Sequence, residues 1–157
     1  VAGVFVNLEW IDGELRATLN RIERFGAQPF ADPGVQRDIG EHLLNSTKAR
    51  AAAGVDPDGQ TWLELSPAYA RRKQRLKPGR PILTFEGEML DTRLAYDLDG
   101  DDFVFGTASV YGATHQWGRG AIPARPWLGL TDDDGEAIEG ILMDRLSVAI
   151  QGDSGSA

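Results

Sequence analysis

Two short alternating runs, Leu94-Ala95-Tyr96-Asp97-Leu98 and Phe103-Val104-Phe105, lie on either side of Asp99-Gly100. Asp-Gly tolerates the positive φ angles of a tight two-residue turn, and the twist of that turn matches the strands it joins. The chain is thereby committed to an antiparallel hairpin. Strands that alternate in polarity have one apolar face, and that face has to be covered.

Helical patterns supply the cover. Asp32-Pro33 predicts a helix start, because Asp accepts the free amide hydrogens of the first turn and Pro loses no bond there. Val35, Ile39, Leu43 and Ala49 are the expected apolar stripe, with a stop near Gly54. Ahead of it, Asp12 suits the cap of a helix carrying Leu15, Leu19, Ile22 and Phe25, with Gly26 as its stop. The two helices are expected to form a hairpin that buries one apolar face. Residues 3–10 alternate as a strand, with Val4, Val6 and Leu8 on one side and Phe5 and Trp10 near the other.

Asp56-Pro57-Asp58-Gly59 reads as a turn, followed by Trp62, Leu63 and Leu65. Ser66-Pro67 starts a helix that should run to about Leu76, and Lys77–Pro81 is a loop. Ile82-Leu83 and Met89-Leu90 flank Gly87. A short helix is expected at 109–117, stopped by Gly118, then a loop at 119–130 held by Pro123 and Pro126. Asp132-Asp133-Asp134 can cap a last helix with Ile138, Ile141, Leu142, Ala149 and Ile150 on its stripe. The expected fold class is α+β: an N-terminal helical hairpin and a C-terminal helix packed on a small antiparallel β-sheet. One domain would span residues 1–151, with a flexible tail at 152–157.

Charge and composition narrow the function. The 157 residues carry a formal net charge of −8 and no cysteine. Disulfides, thiolate metal sites and cysteine catalysis are excluded. No apolar run approaches the ~18 residues of a membrane span, and Val1–Val6 lacks the basic flank of a signal peptide. A soluble cytosolic domain is expected. An acidic chain is repelled by DNA unless its basic residues are segregated. Here they are: Arg71, Arg72, Lys73, Arg75, Lys77 and Arg80 crowd one segment with no acid among them. That segment is either a solvated helix face or a docking surface for an acidic protein or passing DNA. It lacks the interleaved aromatics of a base-stacking platform.

Catalytic and metal patterns are thin. His42 sits beside the stripe of the second helix and reads as an ordinary edge-of-core residue. A small hydrolase could use His115 with Ser109 and Asp91, yet no serine lies in a nucleophile-elbow pattern. A hydrogen-bonded structural histidine is the expectation. Asp97, Asp99 and Asp101 have the odd spacing of a calcium loop, but Asp102 and Ala108 stand where Gly and Glu are needed. Asp132–Asp134 likewise lacks the terminal acidic ligand, and first-turn acids explain it through the helix dipole. Gly118-Arg119-Gly120 lacks the Gly-Lys-Ser/Thr ending of a phosphate loop.

Four blocks in the second half carry a resemblance. The first is Pro57-Asp58-Gly59-Gln60-Thr61-Trp62-Leu63-Glu64-Leu65-Ser66-Pro67-Ala68-Tyr69, with Lys73 after it. The second is Ile82-Leu83-Thr84-Phe85-Glu86-Gly87-Glu88-Met89-Leu90. Gly106-Thr107 and Tyr111-Gly112-Ala113-Thr114-His115-Gln116-Trp117-Gly118 make the third, and Ile122-Pro123-Ala124-Arg125-Pro126-Trp127-Leu128-Gly129 the fourth. In order and spacing they resemble the phage virion morphogenesis proteins, the Mu-like tail completion family. Two positions depart: Glu86-Gly87 stands for the family's Thr-Gly or Ser-Gly, and Trp127 for its usual Phe.

The resemblance implies a non-enzymatic assembly protein without cofactor, added late to a tailed phage at the head–tail neck. It implies a homo-oligomeric ring, a hexamer matching the tail, in contact with neck, connector and tail proteins. Packaged DNA would pass close to it, and no membrane is involved. A head-side connector or minor capsid component is the alternative. The chain would be assembled in the host bacterial cytoplasm and end in the virion. Arg125, with a planar fork suited to carboxylates, and Trp127, a large aromatic beside two stiffening prolines, have the composition of an interface hot spot. They serve equally well as an internal plug and pair. Arg119 and the basic cluster complete the candidate interface. Trp62, Tyr69, Gly87, Leu90, Tyr111, His115, Trp117, Gly118, Pro123 and Pro126 are expected to be structural.

Overall fold

The chain is seen in a computed structural model that describes residues 13–99 and 102–151. The strand expected at 3–10, the Asp12 cap, Gly100 and Asp101 of the turn, and the tail at 152–157 lie outside the described residues.

The longest helix, α2 (Pro33–Ala53), runs through the middle of the fold. The Asp32 carboxylate accepts the Gly34 amide hydrogen at 2.7 Å, and Pro33 occupies the first turn as the sequence predicts. Gly54, at φ 71°, takes the left-handed turn that closes the other end. Val35, Ile39 and Leu43 are buried as expected, but Ala49 is exposed; the stripe continues through Thr47 and Ala51. Steps of four from Leu43 reach 47 and 51, whereas 49 falls on the far side of the helix.

The preceding helix, α1 (Gly13–Ala27), passes through Gly26 without stopping. The break comes at Gln28-Pro29, where a single 3-10 turn (Pro29–Ala31) begins. Proline removes an amide hydrogen and pushes the residue before it out of the helical region, a stronger stop than a permissive glycine. The last helix, α5 (Asp132–Gln151), packs on both α2 and α1. Ile138, Ile141, Leu142 and Ala149 turn partly inward, while Ile150 is exposed.

The predicted hairpin is present as β1 (Leu94–Asp99) and β2 (Asp102–Thr107), antiparallel, with Tyr96 opposite Phe105 and Asp99 opposite Asp102. Leu94, Tyr96, Phe103 and Phe105 turn towards the helices, and Ala95, Asp97 and Val104 towards solvent. The α+β architecture expected from the sequence is the one observed. Two apolar clusters lie along α2. One contains Val35, Ile39 and Leu43 with Phe25, Phe30, Ile138, Ile141 and Leu142. The other contains Ala51, Trp62, Met89, Leu90, Leu94 and Trp127. Phe105 packs against both.

Gly40 sets the distance between α2 and the sheet. A Cβ there would lie 2.2 Å from the Tyr96 ring, which stacks in turn on Phe103 at 5.7 Å between centroids. Asp134, at the start of α5, ties the helical layer together. It is buried, and its Oδ2 accepts from Arg50 Nη1 at 2.9 Å and from the Thr131 amide at 2.9 Å. Its Oδ1 meets His42 Nε2 at 2.9 Å. Thr131 returns the favour by accepting the Asp134 amide hydrogen at 3.0 Å, a reciprocal cap. Arg50 also donates to Gly129 O at 2.8 Å. Burial opposes the charge on Asp134, but hydrogen bonds from Ser46, Thr131 and His42 prevail and hold its carboxyl at about 2.

Two outcomes follow for stability. Gly40→Ala should lose about 1–3 kcal/mol by overpacking against Tyr96, although alanine is the better helix former. Gly140→Ala, where a Cβ meets nothing within 4 Å, should gain up to about 1 kcal/mol; urea titration of both variants checks the pair. The low carboxyl value of Asp134 contributes about 2 kcal/mol at neutral pH, fully present above the ordinary carboxylate range and lost as pH falls towards about 2. Asp134→Asn should therefore unfold earlier at neutral pH, by about 2–4 kcal/mol. Its deficit relative to the parent should shrink between pH about 4 and about 2.

Candidate functional site

The four blocks singled out in the sequence meet around one loop. Trp62, buried, donates from Nε1 to Pro126 O at 2.7 Å. Arg125 is 4% exposed; its Nε donates to Leu63 O at 2.7 Å and its Nη2 to Glu64 O at 2.8 Å. Trp127 is 3% exposed and donates from Nε1 to Gly112 O at 3.0 Å. The short helix α4 (Gly112–Trp117) supplies the other half of the brace. The Gln116 carbonyl oxygen accepts the amides of Trp127 and Leu128, both at 3.0 Å, and its Nε2 donates to Leu128 O at 3.1 Å. The second block joins from below: Thr107 Oγ1 donates to Met89 O at 2.8 Å, and Met89 and Leu90 share the core with Trp62 and Trp127.

The loop itself is a close fit. Gly118, at φ 75°, ends α4, and a Cβ there would sit 2.9 Å from Ala124 N. Arg119 and Ile122 exchange two backbone hydrogen bonds of 2.9 and 3.0 Å, and the Arg125 amide bonds His115 O at 2.7 Å. Pro123 is partly exposed and Pro126 is placed by the Trp62 bond.

The sequence left two roles open for Arg125 and Trp127, interface hot spot or internal plug and pair; both side chains are internal. The guanidinium fork holds two backbone carbonyls instead of a carboxylate, and the indole fills the core. Burial lowers the Arg125 value. Lys73, counted with the basic cluster, is 5% exposed and donates to Pro81 O. Burial, with the Arg125 and Arg80 charges, lowers its value as well. Lys77 pairs with Glu86 at 3.0 Å. Arg71, Arg72, Arg75 and Arg80 are exposed on and just after α3 (Pro67–Leu76), and Arg119 is exposed on the loop.

The motif aromatics divide. Trp62 is structural, as are Gly87 (buried, φ 84°) and Leu90 (1% exposed). Tyr69 is part exposed against Phe85. Tyr111 and Trp117, expected to be structural, are 63% and 78% exposed, and Val110 next to Tyr111 is 81% exposed. Gln116 takes the inner position in their place. The signal was available in the spacing: Gly112 and Gln116 are four apart and share the inner face, which turns Ala113 and Trp117 outward.

His115 lies between two grooves. One, of about 410 Å³, is lined by Tyr69, Phe85, Met89, Ser109 and Tyr111; the other, of about 600 Å³, by Leu65, Tyr69, Ile122, Pro123 and Arg125. Burial, and then the Arg125 charge, lower its value, and its Nδ1 is buried without a hydrogen-bond partner. Ser109 lines a groove with it but shares no hydrogen bond with it, and Asp91 lies elsewhere, against Gly87. The three do not form a relay. Among the described residues no three His, Asp or Glu side chains are placed to hold a metal ion, and no helix is long and apolar enough to cross a membrane.

Large aromatics left in solvent on a braced loop scaffold mark a surface for protein contact. The chain belongs to the phage virion morphogenesis family, whose model matches residues 13–147; it is a bacteriophage structural and assembly protein. Protein G of Escherichia phage Mu, provisionally named a capsid assembly protein, is 29% identical over 131 residues, covering 76% of this chain and 83% of its own. The Mu-like prophage FluMu G protein 1 of Haemophilus influenzae is 33% identical over 120 residues, covering 73% of this chain and 82% of its own. No solved structure gives a match.

The two tryptophans should behave oppositely. Trp127→Ala should cost about 3–5 kcal/mol, removing a buried ring and its bond to Gly112. Trp117→Ala should change stability by no more than about 0.5 kcal/mol. Thermal unfolding of both variants distinguishes them.

Proposed function

We propose that this protein acts at the phage neck, completing the tail and joining it to the head as one subunit of a ring. What carries the reading is the apolar surface around α4. Val110, Tyr111 and Trp117 stand in solvent beside a loop held by buried Trp62, Arg125 and Trp127. Exposed aromatics of this size on a rigid support mark places where protein meets protein. The order of the four blocks, like that of the Mu-like tail completion proteins, supports the neck as the place. Arg119, exposed on the adjoining loop, belongs to the same contact, and neighbouring neck, connector or tail proteins are its partners.

Negative-stain micrographs of a lysate from a phage lacking this gene test the placement. Filled heads and free tails lying apart are expected. Intact particles overturn the proposal, and malformed or empty heads move the protein to the head side. Complementation with Trp117→Ala should leave heads and tails unjoined although the variant folds.

A further inference from the structure

Resting on the ring reading above, a specific contact between copies follows from two faces that α3 and α5 leave open. On α3, Arg71 and Arg75 are four residues apart and Arg72 and Arg75 three, so their guanidinium groups share the outer surface. All three are exposed, and none forms an ion pair among the described residues. On α5, Asp132, Glu136, Glu139 and Met143 follow one another at spacings of four, three and four, again on the outer surface, with Asp133 beside them. These acids are exposed, and among the described residues none of them is paired; the one arginine of α5, Arg145, is turned to Asp38 at 2.7 Å.

Like charges three and four apart on a helix repel, and an opposite face laid against them relieves that repulsion. The two faces are opposite in sign and similar in length: the arginines span about 6 Å and the acids about 10 Å at the rise of an α-helix. Each is edged by exposed apolar side chains, Tyr69 and Leu76 beside the arginines, Met143 beside the acids. They do not meet within one chain. The described packing of α5 is against α1 and α2, while α3 is held over residues 81–86 through Lys73, Tyr69 and Lys77.

We propose that the arginine face of α3 in one copy docks on the acidic face of α5 in the next, head to tail. Because the two faces belong to different elements, a copy bound through one still offers the other, and the contact repeats until the rotation closes it into a ring. Charge complementarity sets the register, and the flanking apolar residues supply buried area. It also accounts for arginine segregation in an acidic chain without assigning the segment to DNA.

Charge-swap rescue on the full chain tests this, with oligomeric state read by sedimentation velocity. The parent should associate, and salt of about 1 M, where the screening length is about 3 Å, should shift it towards monomer. The triple variant Arg71→Glu, Arg72→Glu, Arg75→Glu should lose association by about 100-fold or more, as should Asp132→Lys, Glu136→Lys, Glu139→Lys. Mixing the two, each monomeric alone, should restore the oligomer, which also shows that both fold. A parent that stays monomeric up to its solubility limit overturns the contact, as do single-face variants that associate normally or a mixture that stays monomeric. Arginine variants that lose only salt-sensitive retention on duplex DNA, with association intact, give the face to DNA and overturn it too. The lysate micrographs test the neck placement separately, so an oligomer that obeys the charge swaps stands even if the virions join normally.

Discussion

The Asp134 carboxylate is the interaction on which the helical layer turns. It gathers Arg50 and His42 from α2, Thr131 from the end of the loop, and its own helix α5 at one buried point. The cost of burying a charge is offset because Oδ1 is bonded to His42, Oδ2 to both Arg50 and the Thr131 amide, and the opposite charge is adjacent. Arg50 extends the junction to Gly129 O, so the end of the braced loop and the start of α5 are fixed together. The position of the exposed face of α5 relative to that loop thus depends on one side chain.

A second set of bonds does for the loop what Asp134 does for the helices. Arg125 and Trp62 bind it to the segment after the Pro57 turn, and Gln116 and Trp127 bind it to α4. Almost all of these bonds have a backbone group at one end. They fix the path of the chain while asking little of the side chains on the outside. That is how residues 119–130, with no regular structure beyond one short bridge, present a defined surface.

Much of this architecture was readable from local signals. The ends of α2 and α3, the Asp56–Gly59 turn, the hairpin and the stop at Gly118 each follow from a few adjacent residues whose backbone preferences agree. The misreadings have a common origin. Gly26 was outweighed by Pro29 three residues on. Ala49 and Ile150 were placed on stripes by hydrophobicity when the helical angle excludes them. The long-range bonds left no local mark: Arg50 and Asp134 are 84 residues apart, Arg125 and Leu63 are 62 apart, and nothing near either residue announces its partner. For the candidate site, residue type left the choice open. Trp127 and Arg125 suited an interface and an internal plug equally and are internal, while Trp117 and Tyr111, expected to be structural, are exposed.

Gln116 and Trp117 are neighbours with opposite duties, one holding the loop from inside and the other standing in solvent. An α-helix turns by about 100° per residue, so deleting a residue of α4 ahead of Gln116 would carry Trp117 towards the loop backbone, and inserting one there would carry Gln116 towards solvent. The helix is therefore a rotational key of fixed length. Its outer side chains can be exchanged to suit a different neighbour without disturbing the interior, but its residue count cannot change without unlocking the loop.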